Sequence, residues 1–457
     1  LKNTSIPLDP NTALRKSPVR RPILLVTALL VASVCLVHQA RGDDWPQWRG
    51  PNRDGIWTGE GLIETFPSKT LNPRWTAPVG PGYSGPTVAD GRVFVMDRRT
   101  EPPGERVICL DAESGKENWV FAYDCSYKRL SYPLGPRASV TVSQDLAFAL
   151  GAMGHFFCLH AATGEVRWKK NLDEIYNIQR IVWGVSPSPL VWKEKVIVHF
   201  GGADGACVVA FDTKTGEERW RAIDDRPSYS SPIIIEQAGK EVLLCWTEKS
   251  FHALDPETGE HYWTEPYALR ERGARMNVAT PVMEGEYLFA CSQYEGASMY
   301  KVFETELEAA HLWSRGGPGD KTGGINPPIC TALFKEGHVY GPNMDGEFCC
   351  LDAETGDILW KSSEVTPPGR WSTVHLVQNR ERTWILNEAG ELIIALLSPD
   401  GYREISRAKL IEPTHKIARR KVCWAHPAFA DGCVFARNDA ELVCVDLKEK
   451  TEKSLPK

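Results

Sequence analysis

Eight short segments opened by small or proline residues recur along the chain, at Ser84, Ala138, Ser186, Ser230, Ala279, Pro328, Ser372 and Ala425. Beside or within them stand the residues best suited to hold a ligand: Tyr83, Arg137, Trp183, Tyr229, Arg275, Asn277, Asn326, Arg370, Trp371, Trp424 and His426. Aromatic faces stack on planar groups and arginine forks pair bidentately with carboxylates, so this set, once gathered, would suit a flat anionic ligand. The same rings would equally serve to fill the inside of a fold, and both uses stay open at this point.

The set is poorer in acid–base and metal chemistry. The eight segments contain no Asp or Glu. Asn277 and Asn326 offer amide oxygens, but a hard cation is poorly held without carboxylates. The nearest acids are the loop residues Asp224, Asp225 and Asp320. Neither His-Glu-x-x-His nor Gly-x-Ser-x-Gly occurs, and Gly82-Tyr83-Ser84-Gly85 falls one residue short of a nucleophile elbow. Gly201-Gly202-Ala203-Asp204-Gly205 follows an apolar strand, but a second strand stands where a phosphate loop needs a helix. Asn52-Arg53-Asp54-Gly55 reads as a plain turn, since the remaining ligands of a calcium loop are missing. With a formal net charge of −6, the chain lacks the basic footprint of a general nucleic-acid binder.

What must position these segments is a repeat, Asp-x-x-Ser/Thr-Gly-x-x-x-Trp. Its copies are Asp111, Gly115 and Trp119; Gly164 and Trp168, with His160 in the Asp slot; Asp212, Gly216 and Trp220; Asp255, Gly259 and Trp263; and Asp352, Gly356 and Trp360. With a degenerate copy at Trp313, consecutive tryptophans lie 43 to 52 residues apart. The Asp carboxylate can accept backbone N–H bonds of a turn and the Gly supplies the positive φ that ends it, so each copy reads as a strand-turn-strand hairpin. A Trp that buries about 150–250 Å² needs a neighbouring repeat to pack against. Two further strands, for instance Ser84-Gly85-Pro86-Thr87-Val88 and Val93-Phe94-Val95-Met96, precede each hairpin and make four per unit. Trp75 lies one repeat before Trp119 and opens an unclaimed closing strand, while the last copy, at Val445-Asp446, has Lys450 and Ser454 in its Gly and Trp slots. The predicted fold is all-β: an eight-bladed β-propeller of four-stranded antiparallel blades, the last blade closed by the N-terminal strand.

The repeat resembles the tryptophan-docking motif of the quinoprotein, or pyrroloquinoline-quinone-like, eight-bladed propellers, over roughly residues 75–446. WD40 repeats would end in Trp-Asp and kelch repeats would carry Gly-Gly. The opening Trp45-Pro46-Gln47-Trp48-Arg49-Gly50-Pro51 looks like the head of secreted bacterial members of such families. The resemblance implies one of two branches. Quinone-dependent alcohol and sugar dehydrogenases hold pyrroloquinoline quinone (PQQ) and calcium with carboxylates and an Asn, and use an Asp as base. Cofactor-free scaffolds such as BamB form the other branch. The segments here lack those carboxylates, and no Cys-x-x-Cys-His for a fused haem domain occurs. The expectation is therefore a binding or assembly scaffold without catalytic residues, metal or cofactor, contacting a protein partner or an extracellular polymer at the channel mouth. A PQQ-dependent alcohol or sugar dehydrogenase is the alternative, and polysaccharide or peptide recognition at the same mouth a second one.

Residues 1–42 carry Arg15, Lys16, Arg20 and Arg21, a 15-residue apolar run over 23–37, and small residues at Ala40 and Gly42. This predicts a secretory signal peptide, with a run short for a membrane span, and hence a periplasmic or secreted protein with no span after signal removal. Residues 43–74 are turn-rich and predict an irregular segment packed on the propeller of 75–457. Cys109, Cys158, Cys350 and Cys444 fill the slot held by Ala210 and Ala253 in other copies and are expected to be small buried residues. The neighbours Cys349 and Cys350 should point to opposite faces of a strand. Cys125 and Cys423, in loops, are the expected reactive thiols.

Overall fold

The computed structural model describes residues 43–128, 130–179, 182–267, 276–316 and 324–449; the expected signal peptide lies outside them. Among the described residues the strands form eight four-stranded antiparallel sheets, joined by one short helix, Leu172–Tyr176, and one small hairpin, His415–Ile417 with Arg420–Val422. No helix among them is long and apolar enough to cross a membrane. Blade 1 consists of Thr87–Ala89, Arg92–Arg99, Gly104–Asp111 and Glu117–Asp124, from inside outward. Blades 2 to 7 repeat that order from the inner strands Thr141–Ser143, Leu190–Trp192, Ile233–Gln237, Val282–Glu284, Leu333–Lys335 and Val374–Asn379. Blade 8 takes three strands from the C-terminal part of the chain, beginning with Ala428–Ala430. Its fourth is the N-terminal Trp75–Pro78, paired from Trp75↔Cys444 to Pro78↔Glu441. Buried Arg437 spans this closure, donating to the carbonyls of Met96 (2.9 Å) and Gly80.

The hairpins form as their residues dictate. Asp111 Oδ1 accepts the Ser114 N–H at 2.8 Å, and Asp212 and Asp352 make the same bond to Thr215 and Thr355. In seven blades a bulge adjoins the turn, the pairing shifting register between Cys109 and Leu110 in blade 1 and at the equivalent place in blades 2 to 7. That bulge re-aims the returning strand so that its Trp stands opposite a small residue. Cys109 faces Trp119, Cys158 faces Trp168, Ala210 faces Trp220, Ala253 faces Trp263 and Cys350 faces Trp360. The alternation of Cys and Ala in this slot follows from the room the indole needs.

Each indole then leans onto the next blade. Trp119 Nε1 donates to Ala161 O at 3.0 Å and its ring covers Gly164, where a Cβ would lie 2.6 Å from the indole Cδ2. Gly164 also sits at φ 73°, so two independent constraints exclude a side chain there. Trp75, Trp168, Trp220 and Trp313 repeat the contact on Gly115, Gly216, Gly259 and Gly356. Trp313, recognised in the sequence by its Trp alone, makes the full contact. Trp263 turns back instead to Gln237 Oε1 (2.9 Å) of its own blade.

All twelve cysteines of the described residues are buried. Cys349 and Cys350 fall in separate inter-blade cores, as the strand period requires. The expectation of reactive thiols at Cys125 and Cys423 is corrected: both are buried, and burial pushes Cys423 up to about 12 and Cys125 higher still. Neither presents a thiolate at neutral pH.

Candidate functional site

The Ser and Thr residues that open the inner strands have a local task. Ser139 N donates to Ser188 Oγ (3.0 Å), Ser188 N to Ser231 Oγ (2.9 Å), and Thr280 N to Thr331 Oγ1 (3.1 Å). Each hydroxyl satisfies a backbone N–H of the preceding blade, where the strands converge on the axis and no ladder partner is left. These bonds hold the entry loops in a ring.

The channel is closed below by residues 43–57. Trp45 pairs with Val88 of the blade 1 inner strand, Pro46 O accepts Val142 N, and Ile56 bridges Gln378 of blade 7. Between these anchors the chain turns through Arg49 and Arg53, at φ 61° and 60°. The Arg53 guanidinium is buried among carbonyls of two inner strands, donating to Pro232 O (2.9 Å), Ser188 O (3.3 Å) and Pro189 O, and to Gln47 Oε1 (2.8 Å). Burial pulls its pKa down to about 9. Trp48 rises from the same turn, donating through Nε1 to Thr280 Oγ1 (2.8 Å) and lying edge-on to His426, 4.5 Å between ring centroids.

Above Trp48 lies a cavity of about 310 Å³ that opens at the mouth. Of the sequence-predicted residues, Tyr83, Arg137, Trp183, Tyr229, Trp371, Trp424 and His426 line it. The Trp183 and Tyr229 rings pack at a tilt of 33°, 4.8 Å between centroids, and Tyr229 Oη accepts the backbone N–H of Trp183. Asn277 and Asn326 do not line it. Asn277 is buried with its amide donating to Thr247 O (3.0 Å) and Glu248 O (3.1 Å), and Asn326 Oδ1 accepts Met344 N (2.9 Å). Arg370 lies outside the lining with its guanidinium 4.7 Å from the Trp371 ring centroid. Arg275 is outside the described residues, as is the loop acid Asp320. Asp225 is occupied away from the cavity by Thr247 Oγ1 (2.6 Å).

Sequence reasoning missed Trp48, Tyr132 and His375 as lining residues. Trp48 and Tyr132 lie in stretches that do not repeat, so no periodic signal marks them. His375 stands in one of the eight segments, and only its bond to Trp424 O (3.0 Å) places it at the mouth.

Arg137 is the one ionised side chain in the described lining, and its fork is already engaged. Nη2 donates to Tyr132 O (2.6 Å) and Ser131 O (3.1 Å), Nη1 to Gly135 O, and the guanidinium lies 5.0 Å from the Tyr83 ring centroid. The bidentate anion grip expected of it would require breaking those bonds. Both lining imidazoles are held neutral, burial lowering His426 to about 3 and His375 to about 4. An unfolded His takes its proton near 6.5. As pH falls below that value the unfolded chain binds protons that the folded state refuses, so stability is expected to decline from about pH 6.5 toward pH 4. His426→Gln should flatten this decline, read as Tm across that window.

The fit of calcium and PQQ can be tested on these donors. The described lining contains no carboxylate, and no group of three or more His, Cys, Asp or Glu among the described residues could hold a metal. Asn277 Oδ1 is buried without a partner among those residues, but one amide oxygen does not make the shell of six to eight oxygens that Ca²⁺ takes. The residues present do not fit a quinone–calcium centre.

A family model described as "Outer membrane protein assembly factor BamB" matches residues 103–326 and 322–455, more than half of the chain. The 1-butanol dehydrogenase (quinone) of Thauera butanivorans is 24% identical over 285 residues, which cover 54% of this chain and 44% of that protein. The chain spans less than half the length of the curated relatives it matches. Among solved structures, BamB from Moraxella catarrhalis aligns with a TM-score of 0.59 at 16% identity, covering 82% of this chain and 100% of that one. Quinohemoprotein alcohol dehydrogenase from Comamonas testosteroni aligns with a TM-score of 0.63 at 14% identity, covering 92% and 82%. At such identities the likeness carries the fold, which both scaffolds and dehydrogenases share. The family match across the ring, together with eight blades sealed by the N-terminal strand, identifies the chain as a member of the PQQ-like β-propeller repeat family that the BamB model describes.

Proposed function

We propose that this protein is an exported binding propeller, a scaffold that engages a partner or ligand at its aromatic channel mouth and carries no redox cofactor. The observation that supports this most is the donor set of the cavity: rings, hydroxyls and one committed arginine, with no carboxylate in the described lining. Export rests on the basic and apolar pattern of residues 1–42. The dehydrogenase reading draws on the quinone-dependent 1-butanol dehydrogenase among the relatives. Adding PQQ and calcium to the purified protein and following dye reduction with alcohols and sugars separates the two. The expected result is no saturable cofactor binding and no turnover; saturable binding with turnover would overturn the scaffold reading.

A further inference from the structure

Two bulky residues of the cavity wall, Tyr132 and Trp371, sit in the left-handed region at φ 52° and 68°. Many of the chain's other left-handed residues, such as Asp90 and Asp431, precede a Gly in a tight turn between paired strands. An aromatic residue in this region away from such turns is strained and persists only where its surroundings over-determine it. Both are so held. Trp371 N donates to Met344 O (2.9 Å), and Arg420 ties the preceding carbonyl of Arg370 (2.7 Å) to the buried carboxylate of Glu388 (2.8 Å). Tyr132 O accepts from Arg137. Strain kept in place by dedicated partners presents two rings to one cavity.

On two further lining residues, Trp424 Nε1 and Tyr83 Oη are buried with no hydrogen-bond partner among the described residues. Buried polar atoms of this kind call for an explanation, and a bound ligand supplies one. Ser131, Ser186 and Ser231 add neutral hydroxyls, and Trp48 makes the floor blind. A planar acid would need a free arginine fork, which Arg137 does not offer. An apolar peptide anchor would bury Tyr83 Oη, Trp424 Nε1 and the serine hydroxyls without enough partners. A sugar ring offers an apolar C–H face to stack on an aromatic plane and a rim of hydroxyls that both donate and accept.

We propose that the mouth cavity binds the terminal ring of an uncharged glycan, with Trp371 and Tyr132 as stacking platforms and Trp424 Nε1 and Tyr83 Oη donating to sugar oxygens. This rests on the binding-propeller reading and narrows its ligand. A volume of about 310 Å³ lies at the small end of ligand pockets and suits a chain end more than a through-running polymer.

The test is tryptophan-fluorescence and calorimetric titration of the full protein with neutral gluco-, galacto- and N-acetylglucosamine oligosaccharides. Saturable binding to at least one series is expected. Trp371→Ala should weaken it at least about tenfold, and Trp424→Phe and Tyr83→Phe, which keep the ring and remove the donor, about three- to tenfold each. Those two variants carry the test if Trp371→Ala fails to fold. No binding across the panel, or binding indifferent to both donor-removing variants, overturns the proposal. Saturable binding of a proline-containing peptide in place of any sugar overturns it too, while leaving the binding-propeller reading standing. PQQ- and calcium-dependent turnover overturns both.

Discussion

Replacing Trp119 with alanine is expected to lower the stability of the propeller by about 3–5 kcal/mol, the range of buried Trp-to-Ala changes. The residue is 9% exposed; its indole joins blades 1 and 2 through Ala161 O and the Gly164 backbone, and packs on Phe94 of its own blade at 6.0 Å between ring centroids. Deleting it removes apolar burial and leaves a cavity that neighbouring rings cannot collapse into, because Gly164 is pinned by its own turn. The loss is best read as a shift in denaturant midpoint at constant slope, since a ring of eight blades need not unfold in one step. A loss below about 1 kcal/mol would mean the inter-blade contact contributes little. Trp360 makes the same kind of bond, to Ser398 O at 2.9 Å, but is only partly buried. The alanine change there is expected to cost less than at Trp119.

Arg53→Ala carries the second large effect, and two opposing contributions decide its sign. Removing a buried guanidinium that has no carboxylate partner relieves a desolvation cost. It also leaves the carbonyl oxygens of Ser188 and Pro232 without their donor in a closed channel, while Pro189 O keeps the Thr141 hydroxyl at 2.6 Å. Each unsatisfied buried carbonyl costs about 1–3 kcal/mol. Two such losses outweigh the relief, and a net destabilisation of about 2 kcal/mol is expected. A second consequence distinguishes this variant from a general core defect. Arg53 ties residues 43–57 into the axis, so limited proteolysis should cut near Asp54 in the variant before any blade opens. Unchanged stability together with unchanged protease resistance would show that Trp45 and Trp57 suffice to hold the segment.

The architecture was legible because its signals are local. Asp, Ser or Thr, Gly and Trp within nine residues specify a turn, a bulge and a protruding ring, and their recurrence reveals the ring of blades without knowledge of any long-range contact. The closing strand could be inferred for the same reason: a Trp left over at Trp75 and a last copy missing its own. The thiols of Cys125 and Cys423 were misjudged because a position outside the repeat says nothing about depth. Both lie in connections but are buried in hydrophobic clusters, Cys125 beside Tyr127, Ala152 and Met153.

The mouth was legible in part. Seven of the eleven candidate residues gather on one cavity, since the inner strands of every blade begin at the same end of the axis. Asn277, Asn326 and Arg370 stand at equivalent sequence positions but turn to backbone carbonyls, a backbone N–H or solvent.

By itself, then, the sequence determined the repeat, the blade and the way the ring closes, because each follows from chemistry within a few residues of chain. Only the tertiary structure decided what the mouth can hold. Trp48 comes from below the axis, Arg137 is taken by the carbonyls of its own loop, and Tyr132 and Trp371 stand in left-handed conformations, Tyr132 tied to Arg137 and Trp371 held by the distant Met344 and Arg420. The placing of Trp48 and Trp371 joins segments far apart in the chain, and the rings of the several entry loops share one cavity only when the blades stand in a circle.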